Sequence, residues 1–257
     1  MAFMLQSTII LQHQRQILPL SLAISFWQIQ GGHYYEGTTD TTRTIVMGSV
    51  NDEQKKYFTA VLRGMLNLGN AKFRYGCTGV NLDYLARGPL WEMGQDFNHG
   101  TGHGVGYLLN VHEGPNSFRW RIIQGDNAVL EEGMITTDEP GVYLEGKYGI
   151  RTENELVCRK AEKNEYGQFM EFENITYAPI DLDGIDPDEM TCREKKMLNA
   201  YHKTVWEKIS PYLNDDEREW LKEYTREISM SKKIVLIDGH SILNRAFFGV
   251  PPLTNSE

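Results

Sequence analysis

Four separate segments of the 257-residue sequence carry carboxylate or imidazole side chains of the kind that binds divalent metal ions. In chain order these side chains are Asp40, the histidines His99, His103 and His112, and the glutamates Glu139 and Glu153. Carboxylates dominate and no cysteine belongs to the set, which suits Mn²⁺, Co²⁺ or Zn²⁺ and favours manganese because oxygen ligands prevail. Two such cations about 3.5–4 Å apart lower the pKa of a shared water and stabilise a tetrahedral intermediate. The residues therefore predict a two-metal hydrolytic centre.

Each of these residues also has an interpretation that needs no metal. Asp40, within GTTDTTRT, is a residue type common in turns, and Glu139, directly before Pro-Gly, is typical of a solvated turn. Glu153 lies among alternating polar residues, as it would on a half-exposed strand. His99 and His103 are four residues apart, but the glycines between them argue against a helix that would bring them together. What favours a metal site is the occurrence of the four segments together and in this order.

Patterns around these segments predict the elements that hold them. Residues 33–47 mix tyrosine, threonine and valine around a glycine, which is typical of a strand, a turn and a second strand. Asn51 can cap a helix that runs to about Leu68. The apolar face of this helix, read at helical spacing, is Phe58, Val61, Leu62, Met65 and Leu66. Short strands joined by turns are expected over 127–158, and one more strand over 172–182.

Two further stretches are predicted to be helical. The first runs from about Asn81 to Met93, and its expected inward residues are Leu82, Leu85 and Trp91. The second covers residues 187–228, where apolar and aromatic side chains recur between charged ones. Its expected packing positions are Trp206, Ile209, Tyr212, Trp220 and Leu221.

The overall composition argues against several classes of protein. The formal net charge of -9 disfavours a nucleic-acid-binding surface. The three cysteines are far apart and show no disulfide framework, so a reducing cytoplasm is expected. The apolar run at 17–27 is shorter than the roughly 20 residues of a membrane span, and it lacks the basic start and cleavage site of a signal peptide. We therefore expect a cytoplasmic protein with neither a nucleic-acid nor a membrane partner.

The segments GTTDTTRT, HGTGHGVGYLLNVHEGP, EPGVY and GIRTENELV closely resemble those of the pita-bread metallopeptidases, the family of aminopeptidase P, prolidase, methionine aminopeptidase and creatinase. They resemble aminopeptidase P most, over about residues 31–228. The resemblance implies an α/β (α+β) pita-bread creatinase/aminopeptidase fold with the metals in a central cleft. It also implies a catalytic domain over 31–160, continuing through a closing strand to about 182, and a C-terminal helical extension over 183–229.

The same resemblance implies two divalent metal ions, Mn²⁺ first, with Co²⁺ or Zn²⁺ as alternatives. Asp40 and Glu153 match the two carboxylates that bridge the metals. His103 matches the single histidine ligand, and Glu139 matches a ligand that is also placed to act as general base. The implied reaction is attack by metal-bound hydroxide on the peptide bond before a proline in second position, so the expected partners are proline-containing peptides. A homodimer is the oligomeric state that the resemblance suggests.

Three further residues receive roles from the resemblance. His99 and His112 match histidines that do not bind metal but hold the substrate and stabilise the developing oxyanion. Arg151 matches a residue that orients Glu153. Two other functions stay open: a prolidase-type enzyme that takes only dipeptides, and a pita-bread binding module with an inactive site. The tail after Asp181 resembles the extension of the three-domain, cytosolic type of aminopeptidase P and argues against a prolidase.

The sequence departs from the family pattern at both ends. The family has another metal-ligating aspartate where Ile29 stands, and it has an upstream pocket histidine that is not found here. Shifting the reading frame of residues 1–30 permits both residues, so we interpret this segment as an out-of-frame translation. The chain is then expected to have one weakened metal site and impaired activity. It is also expected to lack the N-terminal domains of the three-domain type of aminopeptidase P.

Residues 230–257 closely resemble the start of the 5′-nuclease domain of bacterial DNA polymerase I. In that comparison Asp238 matches a metal-ligating aspartate and Arg245 a contact to the substrate phosphate. Only a first strand and part of a helix of such a domain are present. We therefore interpret this segment as a fused fragment of a neighbouring gene that confers no nuclease activity.

Overall fold

The computed structural model describes residues 25–108, 110–125 and 127–230, with side chains from residue 31 onward. Within these ranges the chain forms ten β-strands and five α-helices. The strands are β1 (Ser25–Tyr34), β2 (Gly37–Val46), β3 (Lys72–Arg74), β4 (Gly102–His103), β5 (Ser117–Phe118), β6 (Ile135–Asp138), β7 (Gly141–Leu144), β8 (Tyr148–Arg151), β9 (Asn154–Asn164) and β10 (Gly167–Asn174). The helices are α1 (Asp52–Gly69), α2 (Gly79–Leu82), α3 (Tyr84–Trp91), α4 (Cys192–Ile209) and α5 (Asp215–Tyr224). The segment 231–257, with Asp238 and Arg245, lies outside the described residues, as do residues 1–24.

Strands β1 and β2 form an antiparallel hairpin, which confirms the strand, turn and strand predicted for 33–47. The first strand begins earlier than predicted, at Ser25, within the segment interpreted as out of frame. The register pairs Gly31 with Asp40 and Ile29 with Thr42. Position 29 therefore lies opposite Thr42, close along the hairpin to the first predicted metal ligand.

Helix α1 begins and ends where the sequence predicts. Asn51 forms a capping box with Gln54, because each side chain accepts a hydrogen bond from the backbone N–H of the other residue. The helix ends at Gly69, one residue past the predicted end. Its predicted apolar face is confirmed as buried, and it packs against a core that includes Ile150 of β8 and Leu198 of α4.

A four-stranded sheet in the order β3-β10-β9-β6 supports the centre of the molecule. Strand β9 pairs antiparallel with both β6 and β10. The strand predicted over 172–182 is wrong in its bounds, since β10 ends at Asn174. Beyond that residue the carbonyls of Thr176, Ala178 and Pro179 accept hydrogen bonds from side chains instead of a neighbouring strand. That is why the chain leaves the sheet there.

The helix predicted over 81–93 is present as two short helices, α2 and α3. Leu82 is buried as predicted, and Leu85 is partly buried. The prediction for Trp91 is wrong, because this residue is exposed. Its ring contacts the ring of Tyr84, which is also exposed. Arg87 takes the interior position, where it forms an ion pair with Asp83 at 2.7 Å. Periodicity alone did not indicate this buried ion pair.

Helices α4 and α5 confirm the helical prediction for 187–228. Leu221 is buried as expected, but Tyr212 and Trp220 are 77% and 52% exposed, so these two packing predictions are wrong. The buried face of α4 instead includes Leu198, His202 and Val205. Trp220 stacks on Tyr224 at the surface, with ring centroids 4.5 Å apart.

None of the helices in the described part of the chain is long and apolar enough to cross a membrane.

Candidate metal centre

The structure brings all four predicted metal ligands to one site. Asp40 lies on β2, His103 on β4, Glu139 directly after β6, and Glu153 directly before β9. The donor atoms of His103, Glu139 and Glu153 all lie within 4.8 Å of one another. His103 Nε2 is 3.4 Å from Asp40 Oδ2 and 3.5 Å from Glu139 Oε1. Asp40 is buried on a strand, so its interpretation as a turn residue is wrong.

The backbone around His103 fixes which of its nitrogens faces the carboxylates. Its N–H donates to Thr137 Oγ1 at 3.0 Å, and its Nδ1 lies 2.9 Å from the Gly104 carbonyl. Because a carbonyl only accepts, Nδ1 carries a hydrogen, and Nε2 is the nitrogen that faces Asp40 and Glu139. Burial opposes protonation of this ring, but the contacts with Asp40 and Glu139 raise the pKa of His103 overall, and a cation would take the place of the Nε2 proton. A Cβ on Gly102 would overlap the Thr137 carbonyl, so β4 approaches β6 this closely only with glycine there.

Glu153 is the most deeply buried of the four ligands, with 1% of its surface exposed. The Thr42 hydroxyl donates to its carboxylate, and its own N–H donates to the Thr42 carbonyl at 3.0 Å. Burial, together with the charges of Glu139 and Asp40, raises the pKa of Glu153 to about 8. Burial also raises the pKa of Glu139, although the nearby positive charges of His103 and Arg151 oppose that shift.

This donor set fits divalent cations. Three carboxylates and one imidazole nitrogen converge here, and burial with the neighbouring negative charges disfavours the ionised forms of Glu139 and Glu153. A bound cation reverses that preference by stabilising the negative charge. Oxygen-rich sites with one nitrogen ligand suit hard and borderline divalent ions. The residues that would hold such ions are Asp40, His103, Glu139 and Glu153.

The other two predicted histidines have different surroundings. The ring of His112 meets the ring of His103 edge-on, with centroids 4.3 Å apart. One nitrogen of His112 falls within 4.8 Å of donor atoms of Asp40 and His103. His99 places Nε2 2.8 Å from the Tyr143 hydroxyl and Nδ1 2.6 Å from the Gly100 carbonyl. Burial lowers the pKa of both histidines, so the neutral ring is favoured.

Arg151 reaches two of the ligands by different routes. Its Nε donates to the Thr42 hydroxyl at 3.1 Å, and that hydroxyl donates onward to Glu153. Its Nη1 lies 3.9 Å from Glu139 Oε2. The structure thus places Arg151 beside Glu139 as well as in a relay to Glu153, which is broader than the single contact expected from the sequence.

Sequence reasoning missed several residues that support the site. Thr42 and Thr137 hold Glu153 and His103 in place, and Thr137 also lies 3.3 Å from Glu139. Alternation along a strand puts Thr42 on the same face as Asp40, so this signal was available in the sequence. Glu155 is buried, which shows that the interpretation of this stretch as a half-exposed strand is wrong, and burial raises its pKa to about 7.

A separate cavity of about 340 Å³ lies against β6 and β9, and its lining includes Asp138 and Asn154. These residues pair with each other across the two strands, one position away in sequence from Glu139 and Glu153. Because side chains alternate along a strand, the cavity lies on the opposite face of the sheet from Thr137 and Glu155. It is therefore distinct from the ligand cluster.

Comparison with known proteins agrees with this arrangement. Residues 30–160 match metallopeptidase family M24, and residues 168–228 match the C-terminal region of peptidase M24. The chain belongs to metallopeptidase family M24. Among curated M24 relatives, aminopeptidase P1 of Arabidopsis thaliana is 46% identical over 204 residues, covering 78% of this chain and 32% of that protein. A probable Xaa-Pro aminopeptidase P of Paracoccidioides brasiliensis is 45% identical over 203 residues, covering 77% and 33%.

A solved structure in the same family is also similar. The X-prolyl aminopeptidase of Caenorhabditis elegans, described as a cytosolic enzyme with a di-nuclear active site, superposes with a TM-score of 0.74 and 39% identity. The match covers 79% of this chain and 34% of that one. The predicted pita-bread fold is thereby confirmed. The M24 chain described here spans about a third of the length of the relatives it matches.

Proposed function

We propose that this chain carries the catalytic part of a metal-dependent aminopeptidase that releases the first residue from peptides with proline in second position. The observation that carries the proposal is the convergence of Asp40, His103, Glu139 and Glu153 on one site in an M24 fold. Similarity to relatives named Xaa-Pro aminopeptidase supports this substrate class over other M24 peptidases. Two divalent ions are the cofactor, with Mn²⁺ favoured by the oxygen-rich donor set.

Bound cations of this kind lower the pKa of water and polarise a scissile carbonyl. The remaining work falls to side chains of the protein. Glu139 is placed to accept the proton of the attacking water on a carboxylate oxygen, and burial brings its pKa closer to neutral, as suits a general base. Arg151, 3.9 Å away, limits that shift and orients the carboxylate.

The two histidines outside the ligand set are assigned to the substrate. His112 packs against His103, and His99 is hydrogen-bonded to Tyr143. His112 is expected to be neutral and can donate one N–H to a peptide oxygen as negative charge develops there. The single N–H of neutral His99 faces the Gly100 carbonyl, so His99 is assigned to holding the substrate and not to donating to the oxyanion. Tyr143 and the Gly100 carbonyl hold the His99 ring in its orientation.

Position 29 lacks a metal-binding side chain. The family has an aspartate ligand there, and this chain has isoleucine opposite Thr42 on the hairpin. One of the two metal sites is therefore weakened, and the chain as written hydrolyses peptides slowly. Replacing the isoleucine by aspartate supplies the missing carboxylate.

The test is hydrolysis of an Xaa-Pro tripeptide in the presence of Mn²⁺. Ile29→Asp should cleave the peptide faster than the parent chain. Adding Glu139→Gln should abolish that gain, whereas the exposed control Glu165→Gln should keep it. Cleavage of dipeptides alone, in a series of increasing length, would indicate the prolidase alternative. Absence of cleavage together with absence of bound metal by mass spectrometry would leave only the binding module.

A further inference from the structure

Arg43 lies three residues after Asp40 on β2 and forms six hydrogen bonds. None of these goes to a carboxylate or imidazole of the proposed metal ligands. Its side chain is 8% exposed, and all three guanidinium nitrogens donate. The acceptors are the carbonyls of Thr42, Glu153, Ala178 and Pro179, the side-chain oxygen of Asn154 and the hydroxyl of Tyr201, at distances of 2.6–3.0 Å. Five N–H donors in a planar fork serve these six acceptors, so one N–H of Nη2 is shared between two of them, and a lysine cannot reproduce this set.

These acceptors belong to two different parts of the protein. The carbonyls of Thr42 and Glu153 belong to the strands that carry the ligand cluster, and their separations from Arg43 Nη1 are 2.8 and 2.6 Å. The remaining backbone acceptors, Ala178 and Pro179, lie in the segment that leads from the sheet into the C-terminal region. Arg43 therefore joins the ligand-bearing strands to the chain that follows them.

Tyr201 extends this connection into helix α4. Its hydroxyl accepts from Arg43 Nη2 at 2.8 Å and donates to the Ala178 carbonyl at 2.6 Å. No metal ligand lies on α4, which belongs to the part matched by the C-terminal region of the family. The hydroxyl thus links a helix outside the ligand cluster to the residue that holds the Glu153 backbone.

We propose that Arg43 and Tyr201 are a positioning pair through which the C-terminal extension fixes the Glu153 backbone and so sets the affinity of the metal centre. The proposal rests on the proposed function for its consequence, but the contacts exist without a metal. Both backbone polar groups of Glu153 are hydrogen-bonded. Its N–H donates to the Thr42 carbonyl at 3.0 Å, and its carbonyl accepts from Arg43 Nη1 at 2.6 Å. Loosening either contact lets the carboxylate move relative to Asp40 and His103.

The first experiment uses Tyr201→Phe, which removes one hydroxyl and keeps the ring. The matched control is Val205→Ala, which loosens the packing of the same helix at a fully buried residue whose side chain has no hydrogen-bonding group to offer Arg43. Amide hydrogen exchange at Glu153 is measured in the metal-free protein. Tyr201→Phe should speed exchange at this amide about 10-fold relative to amides of α1, since the opening of the Thr42–Glu153 contact becomes easier. Val205→Ala should not change that ratio.

The second experiment is calorimetric titration of the same proteins with Mn²⁺. Removing outer contacts of metal ligands commonly weakens binding 10- to 100-fold. Tyr201 acts one bond further out, so about a 5- to 10-fold loss is expected for Tyr201→Phe, with Val205→Ala within 2-fold of the parent even where its melting temperature falls further. Arg43→Lys should bind Mn²⁺ more weakly than either, and adding Tyr201→Phe to it should cause little further loss because the two act as a unit.

Unchanged exchange at Glu153 in Tyr201→Phe would overturn the proposal. So would equal weakening of Mn²⁺ binding by Val205→Ala at equal loss of thermal stability, because that would reduce the contact to ordinary helix packing. Independent, additive losses in Arg43→Lys and Tyr201→Phe would overturn the pairing. The exchange measurement needs neither metal nor peptide, so a failure of the peptidase assignment is distinguishable from a failure of this inference.

Discussion

The hydroxyl of Thr42 donates a hydrogen bond to the Glu153 carboxylate, joining strand β2 to the start of β9 at the centre of the ligand cluster. The same hydroxyl accepts from Arg151 Nε at 3.1 Å, so one oxygen contacts both the carboxylate of Glu153 and the guanidinium of Arg151. Sequence separation between the two partners is 111 residues, and only the folded chain brings them together.

Thr42→Val removes this hydroxyl and preserves the shape of the side chain. The carboxylate of Glu153 then loses a donor in a buried site, so we expect Mn²⁺ affinity to fall about 10- to 100-fold. Calorimetric titration measures it. Thr204→Val on α4, whose hydroxyl donates to the Ala200 carbonyl within its own helix, is the matched control and should bind as the parent does. Equal affinity in the two variants would contradict the role given to Thr42.

Ile29→Asp tests whether position 29 lacks a metal-ligating carboxylate. A carboxylate opposite Thr42 should raise the number of Mn²⁺ ions bound per chain from one toward two, as measured by mass spectrometry of the native protein. Ile29→Asn offers a similar shape without the charge and should gain far less. If neither variant changes the stoichiometry, the resemblance misassigns this position.

Divalent metal should stabilise the fold by relieving repulsion among Asp40, Glu139 and Glu153. At a free Mn²⁺ concentration of 100 times the dissociation constant, the unfolding free energy should rise by about 2.7 kcal/mol. Denaturant titrations with Mn²⁺ and with a chelator give the difference. Glu139→Gln should show a smaller gain but a more stable metal-free state, because one buried like charge is gone. Glu165→Gln, at an exposed turn, should behave as the parent in both conditions.

His202 should make stability depend on pH. Its Nε2 accepts the Ile180 N–H at 3.1 Å, and burial, with the charges of Arg43 and Arg226, lowers its pKa to about 4. The unfolded chain, with a histidine pKa near 6.5, binds the proton first as pH falls. Stability is therefore full above about pH 6.5 and declines toward pH 4, by a contribution on the order of 3 kcal/mol.

Denaturant titrations between pH 7 and pH 4 check this contribution. His202→Gln should flatten the dependence over that interval, while the exposed His33→Gln should leave it unchanged. An identical slope in His202→Gln and the parent would show that other groups account for the acid sensitivity.

Gly102→Ala tests the close approach of β4 to β6. The added methyl overlaps the Thr137 carbonyl, so the strand carrying His103 must shift. Such overpacking is expected to lower the unfolding free energy by about 1–3 kcal/mol and to weaken Mn²⁺ binding. Gly88→Ala in α3 meets only ordinary contacts with the Tyr84 ring and should be neutral or slightly stabilising. Equal stability of the two variants would contradict the close approach of β4 to β6 at Gly102.

The sequence predicted those parts of the fold whose signals are local. Asn51 as a helix cap, and tyrosine, threonine and valine around a glycine in 33–47, are local signals, and both α1 and the hairpin were predicted from them. The four ligands were found because carboxylates and histidines in this order match a family, whereas each alone had an ordinary interpretation. The convergence itself depends on pairings between distant strands, which no local pattern reveals.

The errors have a common physical cause. Trp91, Tyr212 and Trp220 were expected inside because they are large and apolar, yet all three are exposed, whereas the charged Arg87 is fully buried. Buried polar groups such as Arg87 and Arg43 depend on partners far away in sequence, so periodicity gives no sign of them. The same holds for the end of β10, where long-range side chains take over the carbonyls that a strand would have used.

The contact between Arg43 and Tyr201 has a consequence for the order of assembly during synthesis. Every proposed ligand has left the ribosome by the time Glu153 emerges, yet Tyr201 follows Asn154 by 47 residues. A nascent chain therefore holds its acidic cluster complete but unanchored until α4 has formed. Cation loading is consequently expected only after α4 has emerged and docked.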